Sequence, residues 1–159
     1  RFRTADEIII DEVAYSSKWH AHSVKNKKGV ALERIDPDAA TQDAANWTSA
    51  SETVGYGTPG YQNSQYKDAS SGGATGIEPP VWIEESGSYT VSYLLDRPGY
   101  SCRAFVFNTS GLRVADISNH ELLGISGKIT WSGVANNGSP LQTGVYIFYA
   151  EIYHPEGTV

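Results

Sequence analysis

The chain has 159 residues, enough for one ordinary domain or two small ones, and a formal net charge of −6. This acidic balance argues against nucleic-acid binding, because neutralising a phosphate backbone requires clustered Lys and Arg. Lys25, Lys27 and Lys28 form the one basic cluster, which we interpret as a solvated loop. No apolar run approaches the ~20 residues of a membrane-spanning helix, so no membrane span is predicted. The sequence contains no Met, so we expect that Arg1 is not a natural start and that the chain was part of a longer protein.

The composition favours an all-β fold. The chain contains 16 Gly, 10 Tyr and 4 Trp, and its short apolar runs are separated by stretches rich in Ser, Thr and Asn. This composition is typical of sandwiches and barrels with many turns. The single cysteine, Cys102, cannot form an internal disulfide. Strand alternation places it on one face with Ala104 and Val106, and we interpret it as a buried, inert thiol.

The first segment predicts two strands and little other regular structure. A β-branched run favours a strand over Ile8–Tyr15 that is buried on both faces at its start. A second strand is predicted near Val30–Ile35, ended by Asp36-Pro37. Residues 38–47 predict at most one helical turn, capped by Asp43. Residues 65–80 contain Ser70-Ser71-Gly72-Gly73 and end in two prolines, which is the pattern of a linker or a long crossover.

The second half predicts five strands near Tyr89–Leu95, Cys102–Asn108, Leu112–Ile117, Lys128–Trp131 and Val145–Tyr153. The first three are expected to form a meander, and a single helical turn is expected over His120–Leu123. Residues 144–153 are apolar on both faces, as expected of a central strand covered by a second sheet.

Strand alternation also predicts which side chains face the core. In the strand near Tyr89–Leu95, Tyr89, Val91, Tyr93 and Leu95 should face inward, with Thr90 outward. The same reasoning assigns three more strand aromatics to the interior: Trp131, Tyr146 and Phe148.

Two resemblances cover most of the chain. The block Gly29–Ile35, followed by Asn46–Ala50 and Gly57–Ser64, resembles the closing half of the bacterial lamin-tail domain. Later, Val106–Asn108, Gly127–Gly133 and Leu141–Tyr146 are similar to the immunoglobulin-like domain of the flagellar hook-capping protein. That family usually has Trp-Asp-Gly where this chain has Trp131-Ser132-Gly133, and its final strand is expected to be missing here.

The resemblances imply an all-β fold: an immunoglobulin-like β-sandwich over 81–159, joined through a linker at 65–80 to a partial lamin-tail β segment over 1–64. Hook-capping-type domains recur at the ends of secreted bacterial proteins, which implies an extracytoplasmic location. Each part is then expected to have an unpaired sheet edge. The two halves are expected to pack on each other or to form a strand-paired homodimer, with Ile8-Ile9-Ile10 at that contact.

Candidate chemistry in the sequence is sparse. His20 and His22 are weak candidates for metal ligands, because alternate residues on an extended segment point the same way. The adjacent acids Asp11-Glu12 and Glu84-Glu85 point to opposite faces of a strand, so neither pair is expected to act on one substrate. No nucleophile elbow, phosphate loop or dinucleotide motif occurs. We therefore predict no enzyme activity, no cofactor and no native metal.

The aromatic residues of the turn-rich first segment are the candidates for ligand binding. Trp19, Tyr56, Tyr61 and Tyr66 are expected to be free to face outward and to contact a glycan or peptide. The favoured function is a non-catalytic structural, adhesive or protein-interaction module in the C-terminal part of a larger secreted or cell-surface bacterial protein. The alternatives are an accessory domain of a secreted hydrolase and a carbohydrate- or peptide-binding module.

Overall fold

In a computed structural model the chain is nearly all β, and residues 2–67, 75–155 and 157 are described. The strands of the first segment are β1 (Phe2–Arg3), β2 (Ile9–Asp11), β3 (Leu32–Arg34) and β4 (Trp47–Ser49). The strands of the second half are β5 (Gly76–Ile77), β6 (Val81–Ile83), β7 (Ser88–Leu94), β8 (Ser101–Asn108), β9 (Arg113–Leu122), β10 (Ser126–Trp131) and β11 (Tyr146–Tyr153). The only helical pieces in the described residues are three 3₁₀ turns, Ser17–Trp19, Ala44–Asn46 and Glu52–Val54.

The second half folds as a β-sandwich, which confirms the predicted fold class. In one sheet, β7 lies in the centre, with β10 on one side and the short strands β5 and β6 on the other. The second sheet has the order β11-β8-β9. The expectation that residues 144–153 form a central strand covered by a second sheet is therefore wrong: β11 pairs with β8 alone among the described strands, and Ile147 and Tyr149 on its outer face are exposed. All of these strand pairs are antiparallel.

The chain changes sheet between β7 and β8, so the predicted meander is wrong. Alternation predicts burial correctly along β8 and along most of β7, but it does not reveal whether successive strands share a sheet. The turn after β7 instead carries the chain across the sandwich, where the inner faces of the two sheets pack together. The buried core combines residues of both sheets: Val91, Tyr93, Leu95, Ile129, Tyr100, Cys102, Ala104 and Leu123. Cys102 and Ala104 are fully buried, as the alternation predicts.

The first segment is held by short strand pairs and by polar contacts. β1 pairs with β2, and β3 pairs with β4. The Asp43 side chain accepts a hydrogen bond from the Ala45 N–H at the start of a 3₁₀ turn, which confirms the predicted cap. The carboxylate of Glu33 on β3 is buried and accepts hydrogen bonds from the hydroxyls of Thr58 and Ser64.

The two halves meet at a contact that we call the junction, formed by Ser64, Gln65, Leu123, Gly124 and Ile125. Gln65 is fully buried, and its side-chain amide donates to the Leu123 carbonyl at 3.0 Å. The Ile125 N–H donates to the Ser64 carbonyl at 2.9 Å. The halves therefore pack on each other within one chain. The division into 1–64, 65–80 and 81–159 stays a prediction, and residues 68–74 of the proposed linker lie outside the described residues.

Three local predictions are wrong. The strand expected over Ile8–Tyr15 is limited to β2, and the side chains of Ile8, Ile9 and Ile10 are exposed, because only the short β1 pairs with β2. These isoleucines do not form the contact between the halves. No helical turn forms over 120–123, because residues 120–122 are the end of β9. In the pairing of β9 with β8, His120 has no partner and has φ 63°, so it is the extra residue of a β-bulge.

Burial along β7 also departs from the prediction at one end. Tyr93 is buried, but Tyr89 is 40% exposed, because it lies at an open end of the sandwich. Thr90, expected to face outward, is nevertheless buried, because Val81 and Thr130 lie directly opposite it on the two neighbouring strands.

No helix of the described residues is long and apolar enough to cross a membrane.

Candidate functional site

A groove of about 800 Å³ opens at one end of the sandwich. One wall is formed by aromatic side chains of β6, β7 and β10, and the other by Tyr146 and Phe148 of β11. The loop between β10 and β11 supplies the rim, including Pro140, Leu141 and Gln142. We call this site the aromatic groove.

The strand register explains why the aromatic side chains lie side by side. Tyr89 on the central strand lies directly opposite Trp82 of β6 and opposite Trp131 of β10. Residues in directly opposite positions share a sheet face, so the three rings form one row across the sheet. Ring centroids are 5.0 Å apart for Trp82 and Tyr89 and 5.6 Å apart for Tyr89 and Trp131. Tyr146 of the other sheet extends the row, 6.2 Å from Trp131.

The polar atoms of three of these four rings have hydrogen-bond partners. Trp131 Nε1 donates to the Val134 carbonyl at 2.9 Å, and Trp82 Nε1 donates to the Glu84 carboxylate at 2.8 Å. The Tyr146 hydroxyl donates to the Gln142 carbonyl at 2.9 Å. These bonds fix the ring orientations and leave mainly carbon surface facing the groove. Since none of the described lining residues is charged, the groove suits an uncharged, largely apolar group.

A second apolar surface lies on the outer face of the β11-β8-β9 sheet. Tyr149 on β11 stacks beside Phe105 of β8, with ring centroids 6.4 Å apart, and the Arg113 guanidinium lies 4.3 Å from the Phe105 ring centre. Ile147 is 58% exposed and Val145 is 73% exposed. β11 therefore has apolar side chains on both faces, and those on the outer face are largely in water.

The aromatic residues predicted to bind a ligand lie elsewhere. Trp19 is half-buried and stacks on Trp47, with ring centroids 6.2 Å apart. Tyr61 is 83% exposed in a turn, and Tyr66 is half-buried. Tyr56 has φ 64° and lies in a different cleft, and burial raises its pKa. The aromatic groove contains none of these four residues, and their role in binding stays a prediction.

The two histidines considered as metal ligands face different clefts. His20 hydrogen-bonds through Nδ1 to the Ser49 hydroxyl at 2.9 Å and lies near Trp47, and burial together with Lys27 lowers its pKa. His22 instead lines the cleft between the first segment and the sandwich, where His120 also lies. Within residues 2–67 and 75–155, no three His, Cys, Asp or Glu side chains are grouped closely enough to hold a metal ion.

The cleft that contains His22 and His120 also brings acidic groups near the junction. Glu52 lines it, and the neighbouring Glu121 has a raised pKa, mainly because of burial and secondarily because of the Glu52 carboxylate. The His120 ring contacts the Tyr153 hydroxyl. These residues come from both halves of the chain, so this cleft depends on the packing at the junction.

Four aromatic residues of the groove were missed as part of a site because alternation assigns them to the interior: Tyr89, Trp131, Tyr146 and Phe148. Tyr89 shares its face with Val91 and Tyr93, and Trp131 shares its face with Ile129. The inward direction of these side chains is predicted correctly. Which end of the sandwich stays exposed depends on which strands face each other. One signal was available in the sequence: Tyr89 begins one predicted strand and Trp131 ends another, so both aromatic residues were expected near strand ends.

Comparisons with known proteins find similarity to solved structures alone. No family model matches the chain, and no curated protein matches it. Among solved structures, the chain is similar to the crystal structure of FlgD from P. aeruginosa, with 18% sequence identity and a TM-score of 0.38. That match covers 50% of this chain and 61% of FlgD.

Proposed function

We propose that the chain is a non-catalytic protein-interaction module in the C-terminal part of a larger secreted or cell-surface bacterial protein. The observation that supports this is the apolar surface on both sides of β11: the aromatic groove on its inner side, and the exposed Ile147 and Tyr149 on its outer side. Contiguous apolar surface of this kind marks interaction sites, whereas isolated exposed apolar residues are ordinary. The lamin-tail and hook-capping resemblances and the extracytoplasmic location belong to this proposal.

Site-specific photo-crosslinking tests the proposal. A benzophenone amino acid replaces Tyr149 on the exposed face, or Tyr61 as the control, which is 83% exposed but distant in sequence from β11. In the producing cell we expect one polypeptide to be joined reproducibly at position 149 and not at 61. Identical adducts at both positions, or none at 149, would contradict a protein-binding role for this surface.

A neutral glycan is a second candidate ligand. The aromatic row has an uncharged lining, and the hydroxyls and amides of Ser132, Gln142 and Thr143 lie at the rim, an arrangement that suits stacking on a sugar ring. Titration of neutral oligosaccharides against the fluorescence of Trp82 and Trp131 distinguishes the two candidates. A saturable change in fluorescence that is lost in Tyr89→Ala would favour a glycan ligand. Fluorescence that does not change with any oligosaccharide would exclude it.

The alternative function is an accessory domain of a secreted hydrolase, and the homodimer is a further part of the proposal. A hydrolase domain encoded upstream of Arg1 would make this chain an appendage of that enzyme. For the homodimer, the exposed Ile8, Ile9 and Ile10 of the β2 region are the proposed contact. Light scattering of the wild-type chain and of Ile9→Lys tests it, because a dimer held at this contact should dissociate in the variant.

A further inference from the structure

A polar cleft of about 670 Å³ lies between the first segment and the sandwich, and we call it the junction cleft. The first segment contributes the loop 22–26 and Tyr56, and the sandwich contributes Ser101 of β8, the end of β9 and Tyr153. The described lining residues of this cleft and of the aromatic groove are entirely different. The junction cleft is therefore a separate site, built from both halves of the chain.

The hydroxyl of Ser101 in this cleft is buried and has no hydrogen-bond partner. Its side chain is 1% exposed. Because Cys102 faces the core, Ser101 beside it faces the outer side of the sheet, where the cleft lies. The hydroxyl oxygen of Ser23, across the cleft, is also buried without a partner. Since buried polar groups are as a rule hydrogen-bonded, two unpartnered hydroxyls in one cleft indicate a ligand that bonds to them.

Backbone conformation also distinguishes this cleft. Three non-glycine residues of the described part of the chain have positive φ, and two of them, Tyr56 and His120, line the cleft. Such conformations are costly for residues with a Cβ and cluster at ligand-binding sites. The bulge at His120 directs its ring to the Tyr153 hydroxyl, which also borders the cleft. The fold thus places polar aromatic side chains at the cleft at a conformational cost.

The charges of the lining restrict the class of ligand. The cleft contains one lysine, Lys25, and one carboxylate, Glu52. A ligand with a net charge of either sign would therefore lie beside a like charge. The hydroxyls and amides of the lining both donate and accept hydrogen bonds: Ser23, Asn26, Ser101 and Asn119. This combination suits an uncharged ligand that carries several groups able to donate and to accept.

We propose that the junction cleft binds a neutral sugar, whose hydroxyls bond to Ser101 and Ser23 and whose ring lies against a tyrosine of the lining. Sugar hydroxyls both donate and accept, and tyrosine rings pack against apolar sugar faces while their polar edges stay wet. The cleft volume lies in the range of small-molecule sites. An extended peptide fits less well, because peptides pair with the backbone of a strand edge, whereas the polar groups here are side-chain hydroxyls and amides.

Nuclear magnetic resonance of the ¹⁵N-labelled chain tests the proposal, with maltose, cellobiose, lactose and N-acetylglucosamine as probes. We expect at least one sugar to shift the amide signals of 22–26, 52–56 and 119–122 saturably, and to leave those of Trp82, Tyr89 and Trp131 unchanged. The uronate and amine analogues of the sugar that binds serve as charged controls. Both should bind more weakly than the neutral sugar.

Two serine variants separate ligand binding from a structural role. Ser101→Ala should weaken sugar binding roughly three- to tenfold, the effect of one hydrogen bond between neutral groups. Without sugar its Tm should stay the same or rise, because the substitution removes no hydrogen bond within the chain. Ser118→Ala is the matched control, since the Ser118 hydroxyl is also buried but donates to the Cys102 carbonyl at 3.0 Å. It should melt at a lower temperature and bind the sugar as the wild-type chain does.

A further variant keeps the test independent of the buried serine. Asn119 is exposed at the rim of the cleft, so Asn119→Ala should weaken binding without changing Tm.

Four results would overturn the proposal. The first is no shift with any of the sugars, which would mean that water alone satisfies the two hydroxyls. The second is a set of shifts confined to Trp82, Tyr89 and Trp131, which would assign the sugar to the aromatic groove. The third is tighter binding of a charged analogue than of the neutral sugar. The fourth is a lower Tm in Ser101→Ala, or unchanged binding in both Ser101→Ala and Asn119→Ala.

Discussion

Replacing Glu33, whose carboxylate is buried, is the strongest single test of what stabilises the first segment. The Glu33 side chain is 4% exposed, and its two oxygens accept from Thr58 Oγ1 at 2.5 Å, Ser64 Oγ at 2.7 Å and the Gln65 N–H at 3.1 Å. Ser64 and Gln65 are also junction residues. Glu33 therefore supports both the turn at 58–65 and the contact with the sandwich.

Replacing Glu33 with Ala removes the acceptor of three donors. Leaving a buried donor without a hydrogen-bond partner costs about 1–3 kcal/mol. Hydrogen bonds to charged groups contribute more than hydrogen bonds between neutral groups. Since water can reach some of the donors, we expect Glu33→Ala to lower the free energy of unfolding by about 3–5 kcal/mol. For a domain of this length that corresponds to a fall in Tm of roughly 10 °C.

Urea unfolding followed by tryptophan fluorescence measures this loss. Trp19 and Trp47 report the first segment, and Trp82 and Trp131 report the sandwich. Glu33→Gln retains one acceptor oxygen and should cost about half as much as the alanine variant, and the exposed Glu85→Ala should cost nothing measurable. A loss below about 1 kcal/mol in Glu33→Ala would show that these hydrogen bonds do not hold the segment.

The remaining predictions concern the junction and two buried titratable groups. A Cβ at Gly124 would lie 2.7 Å from the Ser64 carbonyl oxygen, so Gly124→Ala should destabilise the chain by about 1–3 kcal/mol. Gly76→Ala should not destabilise the chain, because no atom lies within 4 Å of the added Cβ. Equal melting temperatures of the two variants would contradict the close packing at Gly124. Burial raises the pKa of Cys102 from 9.0 to about 11, so the native state holds this proton more tightly and the free energy of unfolding should decline from pH 9 to 11. The decline should be smaller in Cys102→Ala than in the wild-type chain. Equal declines in the two proteins would contradict a role of the Cys102 thiol. Burial raises the pKa of Glu121, so its contribution to stability is present below the ordinary carboxyl pKa and is lost as the pH rises above it. Glu121→Gln should therefore raise Tm at pH 7 and much less at pH 4, and a lower Tm at pH 7 would refute this.

Strand alternation was sufficient to locate the regular part of the fold. The strands β7, β8, β10 and β11 lie within one or two residues of their predicted positions, and Cys102 is buried as its parity requires. These predictions succeeded because a side chain's face depends on local geometry with a period of two. The Asp43 cap succeeded for the same reason, since it involves only the Ala45 N–H two residues away.

Features that depend on pairing between distant residues were not predictable in this way. The exposure of Ile9 follows from the absence of a covering sheet, and the course of β9 through His120 depends on a bulge opposite Cys102. The aromatic groove is the clearest case, because Tyr89 faces inward as predicted but lies where the sandwich is open. Whether an inward residue is buried depends on the strand that covers it, which the local pattern does not contain.

Photo-crosslinking at position 149 tests the central claim most directly, because Tyr149 and Ile147 lie on the exposed outer face of β11 that we propose as a protein-binding surface. If that surface binds a partner, one polypeptide is joined reproducibly at position 149 and not at the control position 61. No adduct at position 149, or identical adducts at both positions, would contradict the claim.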